Sequence, residues 1–332
     1  MAQSLDQLLA IISDKKRKLD AKRPLDAALL KNLTEWFRVE LTYNSNAIEG
    51  NTLTRSETAL VIEKGLTVKG KSLDEHLEAV NHAEALDYIQ ELATKTKRSE
   101  LTKHDLLSIH QLILNKVNSQ DAGRFRRIDV SIAGSDVVLP SHIVVPELME
   151  GFMEWLTGQN HDNTVTIAAE AHLRLVTIHP FADGNGRTAR LLMNLLLLQA
   201  GYPIAVISNA TRQDYINSIE KAQKTGDKQA YLRVVYEAVN TSLDIYLGNK
   251  NPSAVAKNDI ISLRIGELAE QTGEEVSTIR YWTNEGLLST VKRSKSGYRW
   301  YNQATINTVR EIQRLQKQRL TLEEIRQKLQ GS

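Results

Sequence analysis

The sequence predicts a mainly α-helical protein, and three observations carry that prediction. Apolar residues recur at helical spacing through most of the chain, as in Leu5, Leu8, Leu9 and Ile12, or Leu29, Leu30, Leu33, Trp36, Phe37 and Leu41. Only six prolines interrupt 332 residues. One stretch alone, Ile128 to Val145, reads as β: IDVSIAGSDVVLPSHIVV is rich in β-branched residues around Gly134-Ser135-Asp136, which predicts a hairpin.

Taken in order, the N-terminus MAQSLDQLLAIISDKKRKLD places its charges after a short apolar run and lacks a small-residue cleavage site, so it reads as a helix and not as a secretory signal. Pro24 stands where a helix starts, a position at which its missing N–H costs nothing. Helical periodicity resumes at Pro146 after the hairpin, and two long helices flank the loop HPFADGNGR. Helices continue to about Leu247. The small, polar stretch 248–260 reads as a linker. Beyond it, two short helical patterns separated by Gly273 predict a helix-turn-helix, and VKRSKSGYRWY (291–301) predicts a basic ribbon beside it.

Composition narrows the function classes. The apolar run Leu191 to Ala200 is too short to span a bilayer and contains Asn194, so no membrane is expected. The absence of cysteine excludes a disulfide scaffold and thiolate chemistry and fits a cytoplasmic protein. A formal net charge of +2 conceals an asymmetry. Residues 257–332 carry 13 Lys/Arg against 9 Asp/Glu, a net of +4, which leaves −2 for residues 1–256. The basic piece is therefore a candidate for nucleic acid even though the whole is near neutral.

The run from Thr177 to Arg190 concentrates chemistry between two apolar helices. Gly184 and Gly186 permit close backbone approach, so successive N–H groups can face one anion where the next helix begins. Arg187 and Arg190 share a face of that helix's first turns. Asp183 is the type of oxygen ligand that Mg²⁺ takes beside phosphates, and His179 can act as a general base. These parts describe a polyphosphate cradle with a metal and a base. A Walker-type loop is excluded, because no GxxxxGK(S/T) occurs.

The string HPFADGNGRTAR resembles the signature of the Fic family, HxFx(D/E)GNGRxxR, at every fixed position. The resemblance spans roughly residues 25–247. It implies a Fic-type helical bundle with a β-hairpin flap, followed by a small winged helix-turn-helix domain. It also implies transfer of AMP from ATP, with Mg²⁺, to a Ser, Thr or Tyr hydroxyl of a target protein. By that resemblance His179 is the base, Asp183 holds Mg²⁺, and Gly184, Asn185 and Gly186 form the anion hole. Arg187 meets the phosphates, Arg190 meets the γ-phosphate, and Phe181 plugs the loop into the core. The segment 128–145, with Ile132, Gly134 and Ser135 at its tip, is the flap that pairs with target backbone. The lead-in Gly123-Arg124-Phe125-Arg126 is similar to the family's G-x-(Y/F)-R. Tyr215 and Gln223 fall where family members contact the nucleoside.

Ser45 and Glu49 lie one helical turn apart, and Gly50 can end that helix. The segment Ser45 to Gly50 resembles the family's inhibitory motif, (S/T)xxxE(G/N). The resemblance implies that Glu49 pairs with Arg190 and displaces the γ-phosphate. The C-terminal order IGELAEQTG, STIRYW, EGLL, SGYRWY resembles MerR-type winged-helix regulators, without the long helix that follows in them. It implies DNA contacts from Ser277, Thr278, Arg280, Tyr281, Lys292, Arg293, Lys295 and Arg299. The expected division is an N-terminal helical region with the inhibitory motif over 1–100, a catalytic core over 101–247, the linker 248–260 and the winged domain over 261–330. A homodimer is a further expected partner. Two alternatives stay open: an enzyme that removes AMP, and a DNA-binding regulator that only senses nucleotide.

Overall fold

The computed structural model describes residues 3–132, 134–159, 163–252, 263–288, 292–293, 299–301, 304–318 and 320–330. It divides into two compact units, residues 1–250 and 251–332.

The first unit has helices and no strand among its described residues. Its elements are α1 (Leu5–Asp20), α2 (Ala27–Ile48), α3 (Arg55–Lys64), α4 (Leu73–Lys95), α5 (Lys103–Leu114), α6 (Val145–Gly158), α7 (Thr164–Ile178), α8 (Asn185–Gln199), α9 (Arg212–Thr225) and α10 (Gln229–Leu247). Local chemistry sets the starts. Ser4, Thr54, Ser72 and Thr102 each close a capping box that satisfies two otherwise orphaned N–H groups. The core forms around α8, which packs on α7, α4 and α5, while α1 packs along α10. Every residue of α8 from Arg187 to Leu197 is buried: its apolar residues enter the core on all sides, and Arg187, Arg190 and Asn194 are buried with polar partners. Asn194 is the polar break in the apolar run. Its amide donates to Arg190 O and Ala205 O and accepts from Ala205 N at 2.7 Å, which pins the extended segment after α8.

The hairpin expected over 128–145 is not confirmed. Among its described residues there is no strand and no ladder. The chain reverses at a turn, with Gly134 at φ 79° and Ser135 N–H donating to Ile132 O at 3.1 Å. The physical reason lies at the base. Arg126 donates to Ile128 O and Pro140 O, and Asp129 accepts from His142 N at 2.7 Å, so side chains take the groups that a ladder would pair. Ile128, Val138 and Ile143 are exposed, while Val130, Ile132, Val137 and Leu139 are half-buried.

The second unit contains β1 (Leu263–Arg264), α11 (Ile265–Thr272), α12 (Val276–Asn284), β2 (Lys292–Arg293), β3 (Arg299–Tyr301), α13 (Ala304–Lys317) and α14 (Leu322–Gln330). The strands form an antiparallel sheet of order β1-β3-β2. Leu268, Ile279, Trp282, Tyr301, Val309, Ile312 and Ile325 build a separate core. Gly273, at φ 67°, makes the turn between α11 and α12.

Candidate active site

The site sits where α7 ends and α8 begins. Pro180 stops α7, and His179 takes its C-terminal position in the left-handed region (φ 52°, ψ 57°), with its N–H on Leu175 O at 2.9 Å. A non-glycine residue there is strained, and Arg126 holds it. Arg126 Nε donates to His179 O at 2.8 Å, and Arg126 N donates to Pro180 O at 2.9 Å. His179 Nδ1 donates to Val176 O at 3.2 Å, which leaves Nε2 as the nitrogen able to take a proton. Burial pushes the imidazole below its ordinary value. The Arg126 charge adds to that push, while the Val176 bond and the Glu49 and Asp183 carboxylates oppose it. At neutral pH the ring is a neutral base.

Phe181 is fully buried and stacks on the His110 ring, with centroids 3.7 Å apart and planes 10° from parallel. Asn185 closes the loop around it. The Asn185 side chain accepts from Phe181 N and donates to Phe181 O, both at 2.9 Å. Asn185 therefore serves the loop through its side chain, and only its backbone remains for an anion. Gly184 sits at φ 77° and starts α8 without a side-chain cap, so the helix's first N–H groups lack the usual partner.

Asp183 lies at the mouth, 61% exposed. Its Oδ1 accepts from Gly184 N at 2.6 Å and its Oδ2 from Arg187 Nη2 at 3.0 Å. Each oxygen keeps a lone pair. One exposed carboxylate beside an uncapped helix start fits Mg²⁺, which takes one or two carboxylates and completes its shell with phosphate oxygens and water. Arg187 is buried and also donates to Glu78 Oε1 at 2.9 Å, so its charge is neutralised from both sides.

Arg190 is buried as well. Its Nε donates to Ser45 Oγ at 3.0 Å, and Nη2 donates to Ser45 O at 2.9 Å and to Glu49 Oε1 at 2.7 Å. Glu49 caps the C-terminus of α2, so the helix end aims its carboxylate at α8. A methyl group on Gly186 would overlap that carboxylate, which places Glu49 directly over the first turn of α8. The Glu49–Arg190 pair expected from the sequence is thus assembled, with a carboxylate of the chain itself at the start of α8.

Other expected residues fall elsewhere. Tyr215, expected at the nucleoside, is 1% exposed, and its hydroxyl bonds His172 Nε2 at 2.7 Å. Its ring has no open face for a base, because packing in the core claims it. Gln223 on α9 reaches Thr177 Oγ1 at 3.3 Å and lines a cavity of about 760 Å³ between α6, α7 and α9. In the second unit Ser277, Arg280 and Tyr281 are exposed on α12 and Thr278 is half-buried, while Ile279 and Trp282 face the core. Arg299 donates to Asn284 Oδ1 at 2.6 Å, so a bond within its own unit holds it. Lys292 and Arg293 form β2, and Lys295 lies outside the described residues.

His110 is a site residue that pattern reading missed. Its Nε2 donates to Asp183 O at 3.0 Å, and its Nδ1 accepts from Gly123 N at 3.0 Å. Burial lowers its pKa to about 4, so the neutral ring satisfies both contacts. A lone histidine among the apolar residues of a helix carries no signal that separates this role from ordinary packing.

Residues 100–197 match the Fic/DOC family, and residues 263–332 match the MerR HTH family of regulatory proteins. Protein adenylyltransferase Fic from Drosophila grimshawi is 38% identical over 250 residues, and that from Drosophila virilis is 37% identical over the same length. In both cases the match covers 74% of this chain and 50% of the relative, so the chain spans about half the length of these curated relatives. Among solved structures, Fic-1 from C. elegans matches with a TM-score of 0.67 at 29% identity, over 74% of this chain and 72% of that one. A Fic-domain signaling protein from Bacteroides thetaiotaomicron matches with a TM-score of 0.66 at 27% identity, over 71% of this chain and 96% of that one. The chain therefore carries a Fic domain over residues 100–197 and a MerR-type helix-turn-helix domain over residues 263–332.

Proposed function

We propose that this protein moves AMP from ATP to a hydroxyl of a target protein, that Glu49 restrains the reaction, and that the C-terminal unit binds DNA. The observation that carries the reading is the pair of groups at the two ends of one loop: a neutral His179 with Nε2 free, and a buried Arg190 held by Glu49 at the start of α8. The names of the relatives support the same chemistry.

In the proposed reaction the target hydroxyl oxygen attacks the α-phosphorus, its proton passes to His179 Nε2, and the bond to the β-phosphate breaks to release pyrophosphate. The N–H groups of Asn185 and Gly186 at the uncapped start of α8, and the Arg190 charge once Glu49 leaves it, offset the charge that gathers on the phosphates; the Gly184 N–H and Arg187 join them as phosphate oxygens take the place of their present carboxylate partners. Asp183 would hold Mg²⁺, whose role when bound is to neutralise phosphate charge. Among the described residues the segment on either side of Gly134 forms no ladder, which suits pairing with an extended target peptide. Glu49 competes for Arg190 against the γ-phosphate, so bound ATP is held in an unproductive pose while the pair persists.

The test is label transfer. Protein incubated with α-labelled ATP should gain label, and protein incubated with γ-labelled ATP should not. Label from neither position, in wild type and in Glu49→Gly, would remove the transferase reading. A second reading, removal of AMP from a modified protein, is favoured by one observation. The Glu49 carboxylate is 37% exposed and near enough to act electrostatically on His179, where it could orient a water. Release of AMP from modified product by wild type, lost in Glu49→Gly, would support it.

A further inference from the structure

A line of buried polar groups runs from Arg190 into the core, and its hydrogen bonds are directional. Tyr231 Oη donates to Ala169 O at 2.8 Å, so the Tyr231 oxygen accepts from His172 Nδ1, 2.9 Å away. With the proton on Nδ1, His172 Nε2 is an acceptor, and the Tyr215 hydroxyl donates to it at 2.7 Å. The Tyr215 oxygen then has only lone pairs left to offer, and these favour the positive Arg190 guanidinium with which it interacts. His172 and Tyr231 are 0% exposed, Tyr215 1% and Arg190 2%. The His172 ring lies against the Tyr231 ring, with centroids 5.6 Å apart and planes 21° from parallel. Burial, with the Arg190 charge second, lowers the His172 pKa to about 3, so the ring stays neutral. A neutral imidazole donates from one nitrogen and accepts at the other in a fixed plane, and both phenols use that geometry.

We propose that His172 is a positioning residue that fixes Arg190 through Tyr215, and so sets how strongly the site demands a γ-phosphate. The proposal rests on the reading of Arg190 as the γ-phosphate ligand. Ser45 and Glu49 anchor the guanidinium from the α2 side. Once Glu49 departs, the anchors left are Ser45 and Tyr215. The relay therefore matters most in the state in which a phosphate replaces the carboxylate. Arginine's fork transmits small displacements into lost bonds, because its donors are rigidly coplanar.

The experiment uses the full chain carrying Glu49→Gly and measures KM and kcat for ATP, together with dissociation constants for ATP and ADP. His172→Gln roughly keeps the volume and brings an amide, but lacks the rigid ring that bridges both hydroxyls. It should raise the ATP KM and dissociation constant roughly three- to tenfold, as loss of one net hydrogen bond would, and move ADP affinity by less than about twofold. Tyr231→Phe removes only a hydroxyl and should shift ATP in the same direction by less, which decides the matter if His172→Gln fails to fold. Adding His172→Gln to Tyr215→Phe should bring no further loss of ATP affinity. Equal weakening of ATP and ADP, or a lowered melting temperature with unchanged ATP preference, assigns His172 a structural role and overturns the proposal. Arg190→Ala separates the two layers. If it abolishes the preference for ATP over ADP while the relay variants do not, the proposal alone falls. If it leaves that preference intact, the reading of Arg190 falls and the proposal falls with it.

Discussion

Glu49 Oε1 accepts a 2.7 Å hydrogen bond from Arg190 Nη2, joining the end of α2 to the second turn of α8 across 141 positions of sequence. A hydrogen bond between charged groups is worth about 1.5–3 kcal/mol, a factor of roughly 10–150 in occupancy. Glu49→Gly should therefore raise AMP transfer by one to two orders of magnitude, read as protein labelling from α-labelled ATP. Equal labelling of wild type and variant would show that the pair does not restrain the reaction.

Gly186 offers a stability test of the same contact. A Cβ there would overlap the Glu49 carboxylate and stand 3.0 Å from Arg190 Nη1. Gly186→Ala should lower the melting temperature of the wild type. In the Glu49→Gly background the first obstacle is gone and alanine's helix preference, up to about 1 kcal/mol, works in its favour. A double-mutant cycle by thermal unfolding should give a coupling of about 1–2 kcal/mol. An additive cycle would mean that Glu49 does not lie over that turn.

The residues legible in the sequence are those whose spacing is itself the chemistry. His179, Asp183, Gly184, Arg187 and Arg190 sit on one loop and the helix it starts, so their proximity follows from covalent connection. Ser45 and Glu49 were legible because one helical turn aligns them, though the partner across α8 came only from resemblance. The helical frame followed from apolar spacing. The hairpin is not confirmed among the described residues: β-branched composition records a tendency, and Arg126 and Asp129 hold backbone groups that a ladder would pair. Tyr215 was misread for a different reason. A tyrosine on an amphipathic helix looks the same whether its ring meets a base or a buried histidine. His110, His172 and Glu78 were invisible because their roles depend on contacts between helices that no local pattern encodes.

The titration of His179 predicts a pH profile. Burial holds its folded pKa below the usual 6.5, so the neutral, proton-accepting form prevails at pH 7 and is lost only as pH falls through the lowered value. In the Glu49→Gly background kcat/KM for AMP transfer should stay flat through neutral pH and fall on an acid limb whose midpoint lies below 6.5. The variant also lacks the carboxylate that raises the pKa, which moves the limb further toward acid. A midpoint above 6.5 would argue for a base other than this imidazole, and His179→Ala should abolish transfer.

Arg126 ties that imidazole to the base of the neighbouring segment. Its guanidinium is buried and reaches His179 O, Ile128 O and Pro140 O at once. Lysine carries the same charge but cannot make three diverging bonds from one rigid plane. Arg126→Lys should lower stability by about 2–4 kcal/mol, two or three lost bonds at a buried cation, and reduce transfer to a peptide hydroxyl about tenfold or more. Denaturant unfolding and a peptide assay check both. An unchanged midpoint would show that the left-handed His179 needs no such support.

The second unit can be tested through its salt dependence. On α12, Ile279 and Trp282 are buried while Ser277, Arg280 and Tyr281 face outward, so one helix face holds the core and the other is available. Arg299, tied to Asn284, is not free in the same way. If the exposed face meets DNA, each phosphate neutralised should contribute about −0.9 to the slope of log affinity against log salt. The full chain should retard DNA at low salt and lose affinity steeply as salt rises. Arg280→Ala should weaken binding and make that slope shallower by about one if Arg280 contacts a phosphate, or relax sequence preference at nearly constant slope if it reaches a base. Retardation that is absent at low salt, or insensitive to it, would assign the outward face of α12 to a protein partner.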